Sequence, residues 1–207
     1  MKSRATVAGP SEASVRSELR RWLQQFDEAE IVDEFWVPRS NERADLALVG
    51  PLLAAFEIKT ARDSLSRLPR QADAYARIFD SCTAVVAERH MDATRELLPA
   101  WWGLVLIDHD ASRPRLEWVR ESRSNPGRDS ETLVRLLWKE EARRALENLG
   151  ESTTSGATRR VLWQELLAKT TQNQLCDVVR AALIARDPAS ARIPSNRFKV
   201  KRLAADH

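Results

Sequence analysis

The sequence predicts an α/β fold: a mixed sheet flanked by helices and followed by a small helical module. Three observations carry this. Two apolar runs, "RADLALV" and "LLAAFEIK", meet across Gly50-Pro51, and short β-branched runs recur at "CTAVVAE" and "WGLVLID". Beyond residue 131 the apolar positions change to helical spacing. Strands followed by helices in this order give a sheet that helices cover, with an all-helical unit after it.

The elements follow in turn. "SEASVRSELRRWLQQFDEAE" puts Val15, Leu19, Trp22, Leu23 and Phe26 on one helical face, with Ser11 or Ser14 as N-cap. "IVDEFWVP" alternates, is rich in β-formers and stops at Pro38, so it reads as a strand before the turn "RSNER". Ala44 to Val49 and Leu52 to Lys59 complete a three-stranded meander. In "TARDSLSRLPRQADAYARIFD" Pro69 belongs in the first turn of a helix, which places its start near Ser66. "CTAVVAE" is then a central strand, "DATRELLP" a short helix, "WGLVLID" a buried strand and "RLEWVRE" an alternating edge strand.

This reading divides the chain into a flexible leader (1–10), a sheet domain (11–120), a linker "ESRSNPGRDSE" (121–131), a helical module (132–190) and a basic tail (191–207). In the module, "TLVRLLWKEEARRALENLG" is expected as one helix ending at Gly150, "TRRVLWQELLAKT" as a second, and "NQLCDVVRAALIARDP" as a third ending at Pro188. The last two read either as a helix-turn-helix or as members of a generic bundle, since nothing separates a recognition helix from a core helix. Trp101-Trp102, ahead of a strand, reads as core.

Composition narrows the function classes. With 43% hydrophobic and 30% charged residues in 207, the chain is globular rather than disordered. It has no apolar run of the roughly 20 residues a membrane span needs. The start "MKSRATVAGPSEAS" lacks a secretory core, so a cytoplasmic location is expected. Cys82 and Cys176 stand alone, without a CxxC partner, and no HExxH, P-loop or GxSxG pattern is present. His90 and His109 each follow an apolar strand and read as ordinary hydrogen-bonding residues.

Charge is uneven along the chain. Residues 1–122 hold 17 Lys and Arg against 20 Asp and Glu, whereas residues 123–207 hold 16 against 10. A basic half suits a polyanion, because clustered cations release the counterions of a phosphate chain. Arg159, Arg160, Arg197, Lys199, Lys201 and Arg202 are the expected nucleic-acid contacts, with DNA the first expectation and RNA the second. Solvated helix faces are the plain alternative.

Asp45, Glu57 and Lys59 interrupt strands that are otherwise apolar. Strand alternation puts Glu57 and Lys59 on one face, and antiparallel pairing through Gly50-Pro51 brings Asp45 toward Glu57. Two close carboxylates raise each other's pKa unless a cation neutralises them. Mg2+ or Mn2+ is one solution, and water on such an ion attacks phosphodiesters. Lys59 would then orient that water or stabilise the developing charge. Salt bridges are the other solution, Asp45 to Arg43 or Arg62 and Glu57 to Lys59.

The stretch "RADLALVGPLLAAFEIK" resembles the metal-binding core of the PD-(D/E)XK nuclease superfamily, with Ala44 in place of its proline. Gln71 and Tyr75 in "QADAY" resemble the Gln-x-x-x-Tyr motif of its RecB-like branch, and the similarity to a little-characterised bacterial family runs over about residues 15–186. The resemblance implies a restriction-endonuclease-like αβββαβ core. It also implies Asp45, Glu57, the Ile58 carbonyl and Glu34 as metal ligands, with Lys59, Gln71 and Tyr75 completing a catalytic site. The expected activity is Mg2+-dependent DNA cleavage in repair or defence. A non-catalytic nucleic-acid-binding or adaptor protein is the alternative, and hydrolysis of another phosphodiester is a weaker third.

Overall fold

The structure is a computed structural model that describes residues 9–26, 29–108, 113–186 and 199–201, the last three by backbone alone. Helix α1 (Glu12–Leu23) precedes three strands, β1 (Glu30–Trp36), β2 (Arg43–Val49) and β3 (Leu53–Lys59). Helix α2 (Leu68–Tyr75) leads to β4 (Ser81–Ala87), α3 (Met91–Leu97) to β5 (Gly103–Asp108), and β6 (Arg115–Arg120) closes the sheet region. Helices α4 (Ser130–Leu133), α5 (Lys139–Asn148), α6 (Arg159–Lys169) and α7 (Gln172–Ile184) follow, and β7 (Lys199–Lys201) adds three residues beside β1.

The open sheet runs β6-β5-β4-β3-β2-β1-β7. Antiparallel pairing joins β1, β2 and β3, parallel pairing joins β3, β4 and β5, and β6 returns antiparallel at the edge. The mixed α/β architecture and the order α-β-β-β-α-β therefore match the sequence reading. The parallel half needs both faces covered, and both are.

On one face α1 lays Val15, Leu19 and Leu23 against Ile31, Leu46, Phe56, Val85 and Val105. Each fully buried aliphatic side chain there contributes on the order of 1.5–3 kcal/mol. Ser11 caps α1 by accepting from the Ser14 N–H (3.2 Å). On the other face Phe35, Ala47, Ala55, Ala84 and Leu104 form one apolar cluster with Tyr75 and Trp102 and with Leu133, Leu162, Val179 and Leu183 of the later helices. Trp102 is fully buried, as its place before a strand suggested.

Gly103, which opens β5, is needed for a close approach. A Cβ there would lie 2.8 Å from the Thr83 hydroxyl and 3.0 Å from the Ser122 backbone nitrogen. The segment after β6 packs along the same end of the sheet: buried Asn125 donates its side-chain amide to the carbonyls of Ala76 (2.6 Å) and Phe79 (2.8 Å).

The helix expected over "TLVRLLWKEEARRALENLG" is broken. Helix α4 passes through a 3-10 turn, Val134–Leu136, and the chain is extended at Leu137 and Trp138 before α5 begins. The cause is a local cap: the Glu141 carboxylate accepts from the Trp138 N–H (2.7 Å) and also binds Arg186 (2.7 Å), whose guanidinium lies over the Trp138 ring at 4.4 Å. Helix α5 does stop at Gly150, where φ is +79°, a left-handed conformation that glycine adopts without a Cβ penalty. Helix α7 ends at Ile184, with Ala185 as its C-cap, short of the stop expected at Pro188, which itself lies outside the described residues.

Candidate functional site

The connection between β2 and β3 is Gly50-Pro51-Leu52, one residue longer than the expected turn, and it sets the register with Ala47 opposite Ala55 and Leu46 opposite Phe56. The next step of that ladder puts Asp45 beside Glu57, on the face that α2 covers. Glu57 is 2% exposed and Lys59 8%. Burial of a carboxylate and an ammonium demands pairing, and the pairing is internal. Glu57 Oε1 accepts from Lys59 Nζ (2.5 Å) and from Gln71 Nε2 (2.5 Å). Its Oε2 accepts from the Tyr75 hydroxyl (2.6 Å), whose single proton is shared with the Arg43 carbonyl (2.5 Å). Gln71 and Tyr75, four apart on α2, therefore reach the same carboxylate from one helix face.

Asp45 Oδ2 accepts from the Ile58 N–H (2.6 Å). Arg16 of α1 approaches from outside: Nη1 donates to the Asp45 carbonyl (2.6 Å), and Nη2 touches Glu12 (2.7 Å), Asp45 (3.0 Å) and Glu34 (3.1 Å). Glu34 is exposed and has a φ of 51°, so its backbone is strained, and the β1–β2 ladder skips it and Asp45. A cavity of about 290 Å3 opens here, lined by Glu12, Glu34, Asp45, Glu57, Lys59 and Gln71 among others.

Burial raises the Asp45 carboxyl from 3.8 to about 7, and the charge of Glu57 adds to this; the Ile58 N–H, Arg16 and Lys59 pull the other way. The Tyr75 phenol is pushed well above its ordinary range by burial first and by Glu57 second. The Asp45 carboxyl therefore changes charge close to neutral pH.

Of the residues expected at the site, Asp45, Glu57, Ile58, Lys59, Gln71 and Tyr75 come together, with Glu34 at the rim. Ile58 takes part through its N–H. The salt-bridge reading holds for Glu57 with Lys59, while the partner of Asp45 is Arg16 rather than Arg43 or Arg62. The expected divalent ion does not fit the donor set. Arg16 and Lys59 supply the neutralising cations, every carboxylate oxygen of Asp45 and Glu57 already accepts a protein donor, and among the described residues no group of three His, Cys, Asp or Glu side chains is placed to hold a metal.

The expected nucleic-acid contacts lie elsewhere. Arg159 stacks over Trp163 at 4.7 Å and Arg160 is exposed beside it on α6. Lys199 and Lys201 fall in β7, opposite Asp33 and Ile31; Arg197 and Arg202 lie outside the described residues, as does His109. The structure instead shows a rim of exposed arginines. Arg39, Arg70 and Arg77 line a cavity of about 650 Å3 with Trp36 and Asp73. Arg43 and Arg67 stand at the mouth of the acidic cavity. Buried Glu42 anchors Arg67 (2.9 Å) and Arg70 (2.6 Å). The signal in the sequence was the density of arginines at 39, 43, 62, 67, 70 and 77.

Fold and site together define a mixed α/β protein whose buried acidic pair is neutralised by its own side chains. The chain belongs to the bacteriophage P4 protein cII family, whose model matches residues 9–202. Protein cII of Enterobacteria phage P4 is 28% identical over 171 residues, covering 81% of this chain and 64% of that protein. This chain thus spans less than two thirds of the relative's length. No solved structure matches it.

This membership overturns the PD-(D/E)XK assignment, and with it the reading as a Mg2+-dependent deoxyribonuclease or any endonuclease-like hydrolase. The resemblance misled for a physical reason. Strand alternation and a tight turn place an Asp, a Glu and a Lys together in any hairpin with this spacing, whether the cluster reacts or only balances its own charge. Among the described residues no helix is long and apolar enough to cross a membrane.

Proposed function

We propose that this chain is a non-catalytic nucleic-acid-binding protein that holds the phosphate backbone on the arginine rim of α2 and the β1–β2 turn. The observation that carries the reading is that rim: five arginines on adjoining surfaces, two of them fixed by a buried carboxylate that faces inward. Guanidinium groups bind phosphate through paired N–H donors, and anchoring lowers the entropy lost on binding. The closed network of Asp45, Glu57, Lys59, Gln71, Tyr75 and Arg16 acts in this reading as a rigid lock that ties α1, β2, β3 and α2 together beneath the rim. A restriction-endonuclease-like arrangement of the αβββαβ core, used for binding alone, belongs to the same reading. DNA is the first partner proposed and RNA the second.

The test is binding to labelled duplex DNA and to RNA of equal length across a salt series. Arg39→Gln with Arg77→Gln removes two rim charges that hold no ion pair with described residues. The variant should weaken binding at every sequence and reduce the slope of log affinity against log salt by about 2, close to one for each phosphate no longer neutralised. An unchanged slope would refute the rim. A second reading, an adaptor that binds another protein, is favoured by one feature: an apolar groove exposing Phe26, Leu52 and Trp118. Salt-independent association with no nucleic-acid affinity would select it.

A further inference from the structure

At the opposite end of β3 from the acidic pair, a cavity of about 420 Å3 lies between the sheet and α7, lined by Asp80, Ser81, Ser122, Arg123, Arg128 and Arg180 among others. We propose that this cavity binds a phosphate group, held by Arg123, Arg128 and Arg180 and by the neighbouring serine hydroxyls. The inference does not depend on the arginine rim, which serves a different surface.

Asp80 organises the cavity. It is 6% exposed and spends both oxygens inside the fold: Oδ1 pairs with Arg128, and Oδ2 accepts from Arg180 (3.0 Å) and from the Leu53 N–H (2.8 Å). One buried carboxylate thus aligns two guanidinium groups, each with a side chain only 16% exposed. A guanidinium carries five N–H donors, so both keep donors beyond those given to Asp80. Arg180 gives one to Asp177, whose side chain is 71% exposed, and Arg128 reaches Asn173 (3.5 Å) and the Cys176 sulfur (3.3 Å).

Three arginines then face two aspartates, one of them in open solvent, and the excess is positive. Arg123 is held only by its backbone, whose N–H donates to the Trp101 carbonyl (2.8 Å), and its exposed guanidinium makes no ion pair among the described residues. The side-chain hydroxyls of Ser81, Ser122 and Ser124, which also lines the cavity, likewise bond no described residue, and this leaves three donors at the wall. Positive charge continues outward: the Arg120 guanidinium is lowered by its burial and then by the charges of Arg95 and Arg123. Like charges held this close, with hydroxyl donors and a pre-aligned pair behind them, suit a tetrahedral oxyanion that accepts on several sides. The group is a free phosphate or the terminal phosphate of a polynucleotide; the chemistry is common to both.

The experiment follows thermal unfolding of the full chain against inorganic phosphate, with ionic strength held constant by chloride. Specific binding gives a saturable rise in midpoint, as required for a ligand bound by the folded state alone. Arg123→Ala should weaken the apparent affinity at least tenfold with the phosphate-free midpoint unchanged, because that side chain supports nothing else. Arg144→Gln, an exposed position on α5 away from both the cavity and the rim, should leave the phosphate response intact. Competition by a 5′-phosphorylated but not by a 5′-hydroxyl oligonucleotide identifies a chain end as the source; no competition by either identifies free phosphate. A linear, non-saturable response, or one that Arg123→Ala leaves unchanged, would overturn the proposal.

Discussion

Replacing Asp45 by Asn should stabilise the protein, and by an amount that depends on pH. The carboxyl rises from 3.8 in the unfolded chain to about 7 in the fold, chiefly through burial and then through Glu57. A group whose folded pKa is raised favours folding fully below the unfolded value and loses that contribution as pH climbs through the folded value. At pH 8 both states carry charged Asp45, and the rise is worth roughly 4 kcal/mol against folding, at about 1.36 kcal/mol per pH unit. At pH 4 the folded carboxyl is protonated and the difference nearly vanishes. Asn imitates the protonated acid and still accepts the Ile58 N–H. Urea unfolding of both proteins at pH 4, 5, 6, 7 and 8 reads Asp45 together with its coupling to Glu57, because titrations outside the pair cancel in the difference. The Asp45→Asn variant should gain nothing at pH 4 and about 2–4 kcal/mol at pH 8. A difference that is flat with pH, or destabilisation at pH 8, would refute the account of the pair.

Two further outcomes follow from buried charge and close packing. Glu57→Ala leaves Lys59 buried without its partner and should cost about 3–5 kcal/mol by denaturant unfolding, whereas adding Lys59→Met should return most of that loss. Gly103→Ala forces a Cβ to within 2.8 Å of the Thr83 hydroxyl and should lower stability by roughly 1–3 kcal/mol, with Gly103→Val worse, as read by thermal midpoint.

The meander and its charged pair were legible because both depend on short-range rules. A period of two puts Glu57 and Lys59 on one face, and the turn at Gly50-Pro51 brings Asp45 near them; the turn takes in Leu52 as well, pairing Val49 with Leu53, and this third residue is what sets Asp45 beside Glu57 rather than Phe56. Gln71 and Tyr75 were legible for the same kind of reason, four apart on one helix. Arg16 was not, since it reaches Asp45 across 29 residues from a helix that only tertiary packing brings near. The break at Leu137 and Trp138 was hidden too: its cap is local, but Arg186, which holds the cap carboxylate, lies 45 residues away. The exposed arginines of α2 look like any solvated face until Glu42 is seen beneath them. The wrong chemical assignment came from the same legible pair, because spacing specifies where side chains meet and leaves open what they do there.

Asp80 also joins parts of the chain that are made at well-separated times during synthesis. Its partner Arg180 is 100 residues further along the chain, and Arg128 is 48. At about 5–20 residues per second a ribosome needs roughly 5–20 seconds to cover the longer gap. Through that interval Asp80, just before β4, lacks one of its two guanidinium partners. A chain cut short before α7 would leave Asp80 with Arg128 as its one guanidinium partner and should resist proteolysis less well than the full chain.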